Sequence, residues 1–241
     1  MNGIINLMAW IQGPMAMLYY VALLLSIQGS MAMRYYVALL LPAAQAFAIP
    51  APALARCAAS MLSCSDYMVA AAAILGENQC QDENPGALSA AGGSIANAGR
   101  DLERAAQSLG ELSWEGATAP LADAASSLYE AAAGLGCDAA LGADLLDEAA
   151  AGLEEGSTVS GCIMLAAAAG PELASSGDCL TRAASSLRDY SLGLAEGRSG
   201  SPRGEAGSRL AQASAALEEA GSALRLQGEL LEEGRALDDR N

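Results

Sequence analysis

The sequence predicts an all-α protein: an antiparallel helical bundle of four long heptad-patterned helices, preceded by an apolar amino-terminal segment. Three observations carry that expectation. Leu or Ile residues recur at intervals of seven along four separate stretches. A small residue usually stands three positions after each, which gives the two seams of helices packed side by side. Breaks rich in Pro and Gly fall between the stretches, where helices stop. An extended coiled-coil rod and a small solenoid built on the fourfold repeat are the alternatives. Short breaks favour helices that fold back on one another.

Residues 1–46 read as a duplicated apolar leader. No charged side chain occurs in residues 1–33, and residues 11–26 are repeated as residues 27–42 with three differences. Only the second copy carries a charge, Arg34. From Met33 the chain has a basic start, an apolar run and a small-residue end, the plan of a secretory signal peptide. Ala44-Gln45-Ala46 and Ala46-Phe47-Ala48 offer cleavage sites. A start at Met31 or Met33, or a retained membrane anchor, are the competing expectations.

Residues 47–83 form an Ala-rich segment with Cys, expected to be either targeting sequence or a fifth helix over residues 57–75. Cleavage after Ala46 would leave Phe47 first, followed by Ala and Pro residues with no acid before Asp66. On Phe47, Pro50 and Arg56 this segment resembles the bipartite leaders of proteins imported into the complex plastids of algae. The resemblance covers about twenty residues and implies a second processing step near Cys80. Arg56 stands where a lipoprotein needs a small residue before its Cys, which argues against a lipid anchor.

Residues 84–241 are the acidic Ala/Leu-rich bundle. Leu88, Ile95, Leu102 and Leu109 make the first stretch, after Asn84-Pro85-Gly86. Leu121, Leu128 and Leu135 continue, after a slip around Gly142, into Leu146 and Leu153; Thr118 and Pro120 are the expected opening of this second stretch. Gly170-Pro171 opens the third, with Leu173, Leu180, Leu187 and Leu194. Residues 199–202 separate it from Leu210, Leu217, Leu224 and Leu231. Asp178 with Arg182, and Glu205 with Arg209, are expected as intrahelical ion pairs. Trp114, where the first stretch ends, is expected to cap the end of the bundle, with a ligand contact as the alternative. Gly92/Gly99 and Gly221/Gly228 are each seven apart, consistent with close helix approach and equally with an Ala/Gly-rich composition.

Composition narrows the function. There are 28 acidic residues, 12 basic ones, all Arg, no His, and a formal net charge of −16. Without His or Lys the chain has no Ser-His-Asp triad, no His-ligated metal, no Walker lysine and no Schiff base. No enzyme activity, cofactor or metal is expected, and an acidic surface disfavours nucleic acid. Gly134-Leu135-Gly136-Cys137-Asp138-Ala139 matches a dinucleotide string but lacks the strand that would precede it. The acidic clusters around Asp144, Glu154 and Glu229 lack the order of a calcium loop.

Behind a secretory leader, Cys57, Cys64, Cys80, Cys137, Cys162 and Cys179 are the disulfide candidates, with 15 connectivities open. The expected function is a non-enzymatic exported structural or protein-interaction bundle. Its partner would be another protein or a second copy, through heptad faces; a membrane enters only through an uncleaved leader. A lipid or pigment carrier and a membrane-anchored accessory subunit are the alternatives.

Overall fold

The computed structural model describes residues 51–78, 84–110, 114–135, 141–160, 169–196 and 200–238. These form six helices: α1 (Ala51–Glu77), α2 (Pro85–Gly110), α3 (Trp114–Gly134), α4 (Ala143–Ser160), α5 (Gly170–Ala195) and α6 (Pro202–Asp238). The helix count of four is therefore corrected to six. One added helix comes from the 47–83 segment, which supplies α1. The other arises because the second heptad stretch breaks before Gly142, whose φ of +75° suits a residue without a Cβ.

Each helix packs against its neighbours in the chain, and α6 also packs against α1, so the six close into a ring. Successive helices run antiparallel. Gly76 lies beside Pro85 and Gly99 beside Ala58, Gly134 beside Ala91, and Gly170 beside Gly228. After five reversals α6 lies antiparallel to α1, and Arg56 meets Glu219 at 3.6 Å.

One heptad register runs through all six helices. Taking the Leu positions as a, small residues occupy d and e except for Tyr190 and Gln227 at d. Past the first turn of each helix the three positions are buried except at the half-buried Thr118 and Tyr190. The twelve largest fully buried side chains stand at a without exception. They are Leu54, Met61, Met68 and Leu75 in α1; Leu88, Ile95 and Leu102 in α2; Leu128, Leu146 and Leu153; and Leu180 and Leu210. Each contributes roughly 1.5–3 kcal/mol of burial. The a side chains thus form one core cluster spanning every helix.

The d and e positions make the walls between helices. In the α1–α2 and α5–α6 pairs the seam runs e against e. A Cβ on Gly99 would lie 3.1 Å from the Ala58 carbonyl oxygen, and one on Gly177 would lie 2.5 Å from that of Gly221. Between α4 and α5 the contact runs d against d, where Gly142 meets Ala183. Backbones therefore approach until no methyl fits, and the glycines spaced by seven are sites of close approach. Helix glycines cost about 1 kcal/mol each against Ala; closer backbone contact across the seams offsets that cost.

Local signals account for the helix ends. Asn84, at φ 40°, accepts the Ala87 amide at 3.3 Å on its side-chain oxygen ahead of Pro85. Ser201 does the same for Gly204 at 3.2 Å, ahead of Pro202. Helix α3 starts four residues before the expected Thr118, at Trp114, and holds Pro120 inside it. Ala117, fully buried at d, recruits that first turn into the ring despite the missing amide proton. Trp114 therefore opens α3.

Candidate functional site

The described cysteines belong to the packing register. Cys57 and Cys64 occupy successive d positions of α1, the places held by Ala in α2 and α6, and both are fully buried. Two helical turns put their Cα atoms about 10 Å apart, beyond the span of a disulfide. Burial pushes both thiols up to about 12, so at neutral pH they are protonated and inert. Cys179 sits on α5, facing α4, and its thiol donates to the Glu148 carboxylate at 3.5 Å. Its pKa is raised by burial first and then by Glu148, with Arg182 opposing. Cys80, Cys137 and Cys162 lie outside the described residues.

Outside the core, arginines tie neighbouring helices together. Arg188 pairs with Glu218 at 2.6 Å, and Arg225 with Asp178 at 3.5 Å, both across α5–α6. Arg182 reaches Glu148 on α4 at 3.5 Å. Arg104 pairs with Asp101 on its own helix and with Asp123 on α3 at 3.9 Å. The expected Asp178–Arg182 pair is thus replaced: close packing offers each side chain a partner on the next helix. Arg209 turns instead to Gln212, at 3.4 Å. Being exposed, these pairs contribute more to register than to stability.

An open cleft of about 650 Å³ lies between α2 and α3. Asn97, Arg100, Asp101, Glu103, Arg104, Asp123, Ser126, Ser127 and Glu130 line it. Asp101 is a buried carboxylate, held by Arg104, whose guanidinium is correspondingly harder to deprotonate. Arg100 donates to Asn97 at 2.6 Å. The cleft offers charged and hydrogen-bonding groups in an open bowl. Sequence reasoning missed Asp101; its position one residue before Leu102, at the edge of the core, and three before Arg104 was the available signal. No known family model and no curated protein matches this chain.

The acidic clusters stand on outer helix faces. Asp144, Asp147, Glu148, Glu154 and Glu155 are all exposed on α4, which carries no basic residue. Tyr129 of α3 donates to Glu154 at 3.3 Å, and its phenol is pushed up by burial and then by that carboxylate. Among the described residues, no group of three or more His, Cys, Asp or Glu is arranged to hold a metal ion. The dinucleotide-like string starts at the end of α3, with Leu135 buried in the core; residues 136–139 lie outside the described set.

Proposed function

We propose that this chain is a non-enzymatic exported protein, a structural or protein-interaction bundle that meets a partner through its acidic outer surface. The observation that carries the reading is the allocation of side chains. The a, d and e positions of all six helices are spent on the ring itself, while an excess of carboxylates faces outward. Self-association through heptad faces would have to displace a helix, so a partner with a basic surface fits better than a second copy. An interior occupied by Leu, Ile and Met gives a lipid or pigment carrier no support.

Export is supported by where the core begins. Helix α1 starts five residues after Ala46, so cleavage there leaves every ring helix intact. Processing near Cys80 would remove α1 with its four buried a residues, and a membrane anchor formed by α1 would withdraw the same face from the core. Helix α1 is long and apolar enough to cross a membrane, but half of that apolar window is buried against its neighbours. Cys57, Cys64 and Cys179 are free and buried among the described residues, so disulfide stabilisation in this reading draws on Cys80, Cys137 and Cys162.

Intact mass of the exported chain, with alkylation before and after reduction, tests all of this. The expected result is a chain starting at Phe47 or Ile49, disulfide bonding confined to Cys80, Cys137 and Cys162, and Cys57 and Cys64 alkylated only after unfolding. An uncleaved chain, or one starting near Cys80, would overturn the export reading.

A further inference from the structure

Helix α1 turns an apolar outer face to solvent. Among the described residues it is the one helix long and apolar enough to cross a membrane, yet only half of that window is buried in the ring. The remainder lies outward, at c and f of the heptad and beside them. Ala59, Ser63 and Ala70 form the middle of the face. Leu62 and Val69 edge it on one side, where they lie beside Gly99 and Gly92 of α2, and Val69 is still 41% exposed. The Ser63 hydroxyl donates to the Ala59 carbonyl at 3.1 Å, so covering it strands no polar group.

Two opposite charges stand on this face, Arg56 at c and Asp66 at f, with no charged residue between them. The Arg56 side chain is 63% exposed even with Glu219 of α6 at 3.6 Å. Asp66 is exposed and has no ion pair among the described residues. When a second α1 is laid antiparallel on the first, with the twofold axis level with Met61, Arg56 falls opposite Asp66 of the second copy and Asp66 opposite its Arg56. In the same register Ala59 meets Ser63, and Pro52 meets Ala70. Each pair sets a c residue against an f residue, so a single register suits the whole face. The small residues beside the axis let the two backbones approach, as they do across the ring seams.

We propose that the outer face of α1 is a dimer interface, in which two copies of this chain pair antiparallel through mutual Arg56–Asp66 ion pairs about a small-residue centre. A net charge of −16 sets copies of this chain against one another, and on this face the charges complement instead. A lipid surface would have to bury both charges unpaired, which the second copy avoids. Pairing here displaces no ring helix, leaves the acidic faces of α3 and α4 open, and rests neither on export nor on a basic partner. Residues 51–71 of the two helices overlap in this register, about 30 Å, and a face one helix wide covers roughly 300–400 Å² on each copy. That area belongs to a weak, reversible dimer, with a Kd on the order of 100 µM.

Sedimentation equilibrium of the full chain, between roughly 5 µM and 1 mM, reads the pairing directly. A monomer–dimer equilibrium is expected. Arg56→Glu and Asp66→Arg each set like charges opposite one another twice over, and each should weaken the dimer by at least about tenfold. The double swap Arg56→Glu with Asp66→Arg rebuilds both ion pairs and should return the dimer to within about threefold of wild type. Both side chains are exposed, so thermal melts of all three variants should stay close to wild type, which separates a lost interface from a lost fold. A chain that stays monomeric at the highest concentration refutes the pairing, and if it then floats with phosphatidylcholine vesicles the face belongs to a lipid surface. A dimer that both single variants leave intact, or that the double swap fails to restore, refutes it equally.

Discussion

Replacing Gly177 by Ala tests the central packing claim most directly. A methyl there would lie 2.5 Å from both the Gly221 carbonyl oxygen and the Arg225 amide nitrogen, and 2.9 Å from the Arg225 Cα. All three are backbone atoms, so no side chain can swing aside. Ordinary contact requires α5 and α6 to separate by about 1 Å, which overpacking data place at roughly 1–3 kcal/mol. The substitution also gains up to about 1 kcal/mol of helix propensity. The net is a loss of up to roughly 2 kcal/mol, or up to about 8 °C in Tm for a chain of this size. Gly93→Ala is the matched control. That glycine lies mid-helix in α2 with nothing within 4 Å of the added methyl, so it should gain roughly 0.5–1 kcal/mol. Gly92, one residue away, meets the movable tip of Val69 at 3.0 Å and should fall between the two. Thermal and urea melts followed by circular dichroism would give the order Gly93→Ala above wild type, then Gly92→Ala, then Gly177→Ala. A stabilised Gly177→Ala would mean that α5 and α6 do not approach at this face.

Further outcomes follow from the same register. Gln227 is fully buried at a d position with neither amide atom partnered. Gln227→Met should therefore stabilise by about 1–3 kcal/mol in a denaturant melt, the cost of an unsatisfied buried polar group. Cys57→Ala and Cys64→Ala should fold normally, whereas Cys57→Leu should lose roughly 1–3 kcal/mol by crowding the α1–α6 seam. Both thiols, pushed up to about 12 by burial, should resist a disulfide reagent at pH 8 until denaturant is added. Removing residues 1–78 takes out four buried a side chains worth together roughly 6–12 kcal/mol. That is comparable to the whole stability of a domain, so the truncated chain should bind a hydrophobic dye and lose its cooperative melt.

The a positions of α2 to α6 were legible because Leu at every seventh residue is a placement that composition does not produce. Helix α1 obeys the same register with Met61 and Met68 at a, and with Cys57 and Cys64 at d. Met fills an apolar slot as Leu does, and a thiol fills a small slot as Ala does. Beside an apolar leader, those substitutions hid the heptad register of the segment, which the sequence left open between a fifth helix and targeting sequence. Asp101 was obscured in a similar way: an acid at the edge of a core face reads as surface, and only the three-dimensional neighbourhood of Arg104 shows how it is held.

Glycine is where the sequence held more than its composition suggested. Read against the Leu phase, the glycines divide. Gly92, Gly99, Gly170, Gly177, Gly207, Gly221 and Gly228 all fall at e, and a Cβ at any of them meets a neighbouring helix within 3.1 Å. Gly93, at f, and Gly110, at b, meet nothing within 4 Å. The interval of seven between glycines is therefore uninformative on its own, while the e phase identifies the α1–α2 and α5–α6 faces that touch; the α4–α5 seam uses other phases, with Gly142 and Gly156 at d and Gly152 at g. The same phase explains closure into a ring. A helix with one small face pairs once; a helix with small residues at both d and e offers two walls on either side of its large a residue. Six such helices can each hold two neighbours and still turn their Leu residues inward, which an open array would leave unmatched at both ends.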